Sequence, residues 1–228
     1  TNYLPKKKSF ASLGCVLCEE NISDVEKVIS FGSSIGWYTS LVPIHSTDYS
    51  KPMGFRTFDD KLKIKEEYFA KVDTLIERVR KMQSQGYLLY DSDQYLDDIK
   101  RFVRDIPTTW RKKNKGICDS PNLYFAILPN GTFAPCCDHR LLNNYEVYSQ
   151  DFPKVFKQKV FKKEVNNIVK ECDGCMYGSY PEMTVSMRYN TTKFKRALTF
   201  FGKQHKKNWP IELNNIEELA HNINSRKI

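Results

Sequence analysis

The chain contains no apolar run of about 18 residues, so the sequence offers no candidate membrane-spanning helix. Its first ten residues, TNYLPKKKSF, are not a basic segment followed by an apolar one, and so do not read as a secretory leader. No internal repeat and no low-complexity tract interrupts it. Cysteine is scarce and odd in number, at seven. Without a leader, an odd count argues against a disulfide framework and toward metal binding, so a reducing cytoplasm is the expected compartment.

What is present points to a folded protein. The 228 residues suffice for one large domain, or for a domain with a small appendage, and 40% of them are hydrophobic. The first residue is Thr rather than Met, which raises the expectation of a processed chain or a fragment. The net charge is +9, with lysines crowded at 111–115, 154–163 and 193–207. Such runs suit nucleic acid. Here the lysines alternate with apolar residues, so solvated helix faces are the preferred reading and a nucleic-acid partner is not expected.

Residues 12–19 (SLGCVLCE) read as a buried strand, and Ser23 with Glu26 as a capping box opening a helix over 22–34. Gly36 ends that helix, and 37–44 (WYTSLVPI) form a second strand. Strand, helix and strand with short links predict a βαβ unit and a parallel sheet. A polar loop, 45–60, follows the end of the second strand, where parallel folds bind ligands, and His45 opens it as a possible catalytic group. A helix over about 60–85 is expected to bury Phe69, Val72, Leu75, Ile76, Val79 and Met82 and to stop at Gly86. A strand-like run at 87–90 precedes a helix near 92–105. Residues 122–136 read as a hairpin turning at Asn130-Gly131. Asp151 caps a basic helix over about 152–170, and helices near 190–203 and 213–225 close the chain.

Four cysteines carry the chemistry. Seventeen residues separate Cys118 from Cys136, with Gly131 between them, and Cys172-Asp-Gly-Cys175 forms a Cys-x-x-Cys knuckle. The ends of a hairpin lie together, so Cys118 and Cys136 become neighbours, and the helix returns the knuckle to the same point. Four thiolates around one centre suit tetrahedral zinc or an iron–sulfur cluster equally well. A zinc-binding module, possibly contacting nucleic acid, is therefore the alternative class. Cys15 and Cys18 read as packing residues of the first strand. Cys137 is expected to point away from Cys136, and His139 could orient a ligand. Met176 to Glu182 is expected to cover the metal.

Cys118-x12-Gly131-x4-Cys136 followed by Cys172-x2-Cys175 resembles the auxiliary-cluster region of radical S-adenosylmethionine (SAM) enzymes, the SPASM/Twitch extensions. With no cysteine after Cys175, the chain looks like the shorter Twitch form, and the resemblance implies one auxiliary [4Fe–4S] cluster on Cys118, Cys136, Cys172 and Cys175. The implied fold is α/β, the C-terminal part of a partial (β/α)6 barrel (1–106), then a hairpin-plus-helix cluster domain (107–185) and a helical end (186–228). The strands at 12–19 and 37–44 resemble the barrel's fifth and sixth. The family's Cys-x3-Cys-x2-Cys motif is absent, since the first position before Cys15 and Cys18 falls on Ala11. SAM and the second cluster that cleaves it, which releases a 5′-deoxyadenosyl radical, are thus expected only in an intact enzyme. The resemblance also implies a flavodoxin- or ferredoxin-like electron donor and a peptide, sugar or small-metabolite substrate.

Overall fold

A computed structural model describes residues 11–44, 63–106, 108–110, 118, 121, 124–137, 139–171, 175–177, 179–201 and 213–225. The loop at 45–60, with His45, lies outside them, as do Cys172 and the start expected for the second helix at 60–62.

The structure is mixed α/β with small sheets. Strand β1 (Ser12–Leu17) pairs in parallel with β2 (Tyr38–Pro43), and helix α1 (Val25–Ser34) crosses between them. The βαβ unit read from the sequence is therefore present. β1, however, is buried on one face only. Cys15 and Leu17 enter the core, while Val16 is 49% exposed. Cys18 falls just past the strand and is half-buried. The expected capping box of Ser23 and Glu26 does not form. Asp24 occupies the N-cap position, Glu26 reaches across to the Arg78 guanidinium at 3.0 Å, and Asn21 caps the Cys18 backbone N–H instead, at 3.0 Å. Gly36 ends the helical segment at φ 77°, a conformation that costs a residue with a Cβ about 1–2 kcal/mol.

Helix α2 (Phe69–Ser84) starts later than the sequence suggests, after a single 3-10 turn at Glu66–Tyr68. Val72, Leu75, Ile76, Val79 and Met82 of its periodic face are buried as expected, but Phe69, at the first position of the helix, is only partly buried. The run at 87–90 then joins the sheet. Leu89 bridges Thr39 in parallel, Thr39 N donates to the Leu88 carbonyl, and Tyr90 N donates to the Thr39 carbonyl, both at 2.9 Å. The chain thus makes two successive parallel crossovers. Helix α3 (Asp93–Phe102) follows, capped by the Ser92 hydroxyl on Tyr95 N.

A second structural unit begins at the hairpin of β3 (Ala126–Ile127) and β4 (Phe133–Ala134). Its turn uses one left-handed residue, Gly131 at φ 79°, rather than two. Gly131 N donates to the Leu128 carbonyl at 2.8 Å and Leu128 N to the Thr132 carbonyl at 2.9 Å, the pattern of a type I turn followed by a glycine bulge. Residues 145–147 add a third antiparallel segment, which the sequence reading did not anticipate: Phe133 N donates to Tyr145 O and Val147 N to Gly131 O.

The helix expected over 152–170 is split into α4 (Phe152–Val155) and α5 (Lys159–Glu171). The reason is angular. At 3.6 residues per turn, about 100° each, nine residues separate Phe152 from Phe161 and would put them on opposite faces. Breaking the helix at 156–158 turns Phe161 back toward the hairpin. Phe133, Phe152 and Phe161 then form a separate aromatic core with Val165, and Lys154, Lys157, Lys162 and Lys163 stay exposed around it. Asp151 sits at the N-cap position, but its carboxylate pairs with Lys154 rather than capping the backbone.

Three helices complete the chain: α6 (Ser179–Arg188), α7 (Asn190–Phe201) and α8 (Leu213–Ser225), the last packed on α1. Helix α6 was not expected. Among the described residues no helix is long and apolar enough to cross a membrane.

Replacing Gly131 by Ala should cost about 1–2 kcal/mol in urea unfolding. The added Cβ needs a left-handed backbone and would sit 2.7 Å from the Tyr148 ring. Gly14→Ala, with open space around its Cβ, should be neutral. Equal losses in the two variants would contradict the turn assignment.

Candidate metal–sulfur centre

The peptide edge of Leu41 organises the region around the cysteines. Thr39, two residues earlier, bonds to the 87–90 segment, but among the described residues no strand continues far enough to meet Leu41. Side chains substitute for it. Leu41 N donates to the Asp91 carboxylate at 2.7 Å, and the Leu41 carbonyl accepts from the Tyr95 hydroxyl at 2.8 Å. Ser40 Oγ closes on the other Asp91 oxygen at 2.6 Å. The Tyr95 hydroxyl is also 2.7 Å from the Met176 carbonyl, so one proton is shared between two acceptors. Met176 follows Cys175 directly. The knuckle is thereby hooked to the open edge of the sheet, with Met176 wholly buried in the larger core rather than lying over the cysteines. Burial holds the Tyr95 phenol well above its usual range, reinforced by the charges of Asp91, Glu182 and Cys175, so it remains a donor.

A buried ion pair fixes the helix after the knuckle. Glu182 of α6 is fully buried. One carboxylate oxygen accepts from Ser92 N (2.5 Å) and Ser92 Oγ (2.9 Å), and the other accepts from Arg196 Nη2 (2.6 Å). Arg196 lies over the Tyr90 ring at 4.1 Å and donates to the Tyr90 carbonyl. Strand end, α3, α6 and α7 are thus joined through three charged groups, Asp91, Glu182 and Arg196. Glu182 alone pairs with the guanidinium, while Asp91 is held by Ser40 and Leu41 N. Desolvation, with the Glu182 charge second, pushes Asp91 up to about 8, and desolvation also raises Glu182 against the pull of Arg196. Members of this network lie up to 106 positions apart in the sequence and left no local signal. A cavity of about 530 Å³ opens beside it, between α2, α3 and α7, with Arg80, Asp97 and Lys195 on its walls. The charged groups there already pair with one another: Arg80 with Asp97, and Lys195 with Asp93.

Cys118 is half-buried against the larger core, and Thr184 of α6 donates its hydroxyl to Cys118 Sγ at 3.8 Å. Asp98 holds the segment at 108–110, where its buried carboxylate accepts from Thr109 N (2.6 Å) and Trp110 N (3.0 Å). Cys136 follows β4. Arg140 Nη1 reaches the carbonyls of Cys137 (2.8 Å), His139 (2.9 Å) and Cys136 (3.4 Å), gathering the turn on one cation. Cys136 is half-buried and Cys137 exposed, and His139 is half-buried. Cys175 is half-buried beside Met176. Cys15, by contrast, is packed among apolar side chains, and burial raises its thiol to about 11, so it is held as a neutral thiol.

Cys118 therefore adjoins the larger core, as does Met176 next to Cys175. Among the described residues, Cys118, Cys136 and Cys175 are in no disulfide. Among the described residues, no three His, Cys, Asp or Glu side chains are drawn together closely enough to hold a metal ion, and Cys172 is outside those residues. The donor set nonetheless fits a soft metal or cluster chemically. Compared with protein-family models, curated proteins and solved structures, the chain matches none.

The Asp91 shift has a testable sign. An acid whose folded pKa lies above its ordinary value binds its proton more tightly in the native state, so stability falls as pH rises through the interval between the two. Wild-type thermal stability should decline between about pH 4 and pH 8, and Asp91→Asn should flatten that decline. Parallel melting curves at pH 5 and pH 8 decide it; identical slopes in both proteins would show that Asp91 is not the titrating group.

Proposed function

We propose that Cys118, Cys136, Cys172 and Cys175 hold an auxiliary [4Fe–4S] cluster, and that the chain works as the cluster-bearing portion of a radical SAM enzyme. The observation that carries the reading is Gly131. The glycine of the Cys-x12-Gly-x4-Cys spacing is the left-handed residue that turns the hairpin. The spacing is therefore a folding constraint, which sets how far beyond the turn Cys136 emerges. The two parallel crossovers give further support. In this reading 12–17, 38–43 and 87–90 are three successive strands of the partial barrel, so β2 is not its last.

Each residue has a role in the proposal. The four thiolates bind iron. Tyr95 anchors the knuckle, Thr184 meets one sulfur, and Arg140 shapes the turn that carries another. When bound, such a cluster supplies a one-electron store close to substrate. The chain lacks Cys-x3-Cys-x2-Cys, so SAM cleavage is assigned to none of these residues.

Anaerobic purification followed by iron, sulfide and zinc analysis tests the proposal. About four irons and four sulfides per chain are expected, with the broad visible absorption of a cluster. One zinc without sulfide would replace it with the zinc-module reading. Cys118→Ala should reduce bound iron several-fold, whereas Cys15→Ala should leave it unchanged.

A further inference from the structure

Four exposed or partly exposed charged side chains line the cavity between α2, α3 and α7: Arg80 from α2, Asp93 and Asp97 from α3, and Lys195 from α7. Their signs alternate. Asp97 pairs with Arg80, Arg80 Nε stands 4.0 Å from one Asp93 oxygen, and the other Asp93 oxygen pairs with Lys195. Two cations and two carboxylates thus cancel. Arg196 and Asp91 also line the cavity, but they are held elsewhere, Arg196 by Glu182 and Asp91 by Ser40 and Leu41 N.

Arg80 is only partly used. Its Nη2 donates to Asp97 and to the Asp93 carbonyl, and its Nη1 to Glu77, while the buried Nε has no acceptor. A guanidinium grips a carboxylate best through two parallel N–H groups, and Asp97 engages one. Asp93 and Asp97 are about half exposed and Lys195 is 71% exposed, so their pairs add little stability and exchange readily for others. The buried part of the lining includes Tyr38 and Leu89, and Leu198 adds an apolar side chain that is 58% exposed.

We propose that this cavity binds a free α-amino acid with a large apolar side chain. The ligand's carboxylate takes Nε and Nη2 of Arg80. Its ammonium takes the Asp97 carboxylate so released, and its side chain covers Leu198. A zwitterion exchanges the existing ion pairs one for one. A plain anion would face two carboxylates and a plain cation two cations, with like charges opposed. The volume of about 530 Å³ lies in the range of small-molecule sites. None of this depends on the cysteines.

The test is isothermal titration calorimetry of the full chain with L-phenylalanine, and with three molecules that each lack one part. These are 3-phenylpropionate (no ammonium), 2-phenylethylamine (no carboxylate) and glycine (no apolar body). Phenylalanine should saturate one site with a Kd of about 1 mM or below, and each of the others should bind at least about tenfold more weakly. Asp97→Asn should weaken phenylalanine about tenfold without weakening 3-phenylpropionate, because only the ammonium loses its partner. Arg80→Lys keeps the charge and removes the fork, so it should weaken both. Should either variant not fold, Leu198→Ser, at an exposed position, should weaken phenylalanine with no change in melting temperature. The absence of saturable heat with phenylalanine up to about 20 mM overturns the inference. So does 3-phenylpropionate binding as tightly as phenylalanine, or phenylalanine binding that all the folded variants leave unchanged.

Discussion

The unfinished edge of β2 is the constraint from which most of the structure follows. A parallel strand that ends beside no partner leaves an N–H and a carbonyl exposed to an apolar interior, and each must be satisfied. At Leu41 the two are met by Asp91 and Tyr95. Both come from the segment that has just left the sheet, so the chain closes its own edge. Tyr95 takes hold of the knuckle, and Asp91 adds a second buried acid to the site where Glu182 and Arg196 meet. The polar interior is therefore a joint between the sheet and the helices that follow the cysteines, and its groups are already paired with one another.

The smaller core is made differently. It is aromatic, with Phe133 edge-on to Phe161 at 5.0 Å and Tyr145 edge-on to Phe161 at 4.8 Å. Rings in this arrangement fill space with few residues and gain from edge-to-face contact. That suits a unit of two short strands and two helices, which has little aliphatic surface to bury.

Several elements were legible in the sequence because they bury one apolar stripe. The α2 face from Val72 to Met82 repeats at helical spacing, and Gly36, Gly86 and Gly131 all sit at positive φ, where only glycine is free of strain. Helix α6 was not legible, since its buried positions include Glu182 and Thr184, which no hydrophobic pattern selects. The split between α4 and α5 was hidden for the opposite reason. The residues are good helix formers, and the break comes from the need to turn Phe161 toward Phe133 in three dimensions. The Ser23–Glu26 pattern misled because Glu26 had a better partner in Arg78, far along the chain. Of the candidate site, the residue types and spacing could be read in advance. The groups that position them could not, because Asp91, Tyr95, Glu182 and Arg196 are brought together only by the fold.

Helix α6 has a mechanical consequence. It carries a buried acid at one position and, half a turn further on, a hydroxyl directed at sulfur. Sliding by one helical turn, about 5.4 Å, would strip both at once. The helix therefore has a single register, and any motion of α3 or α7 must carry it along as one body. Strain arising at the sheet edge would be delivered to the sulfur as a whole-helix displacement, not dissipated in a hinge.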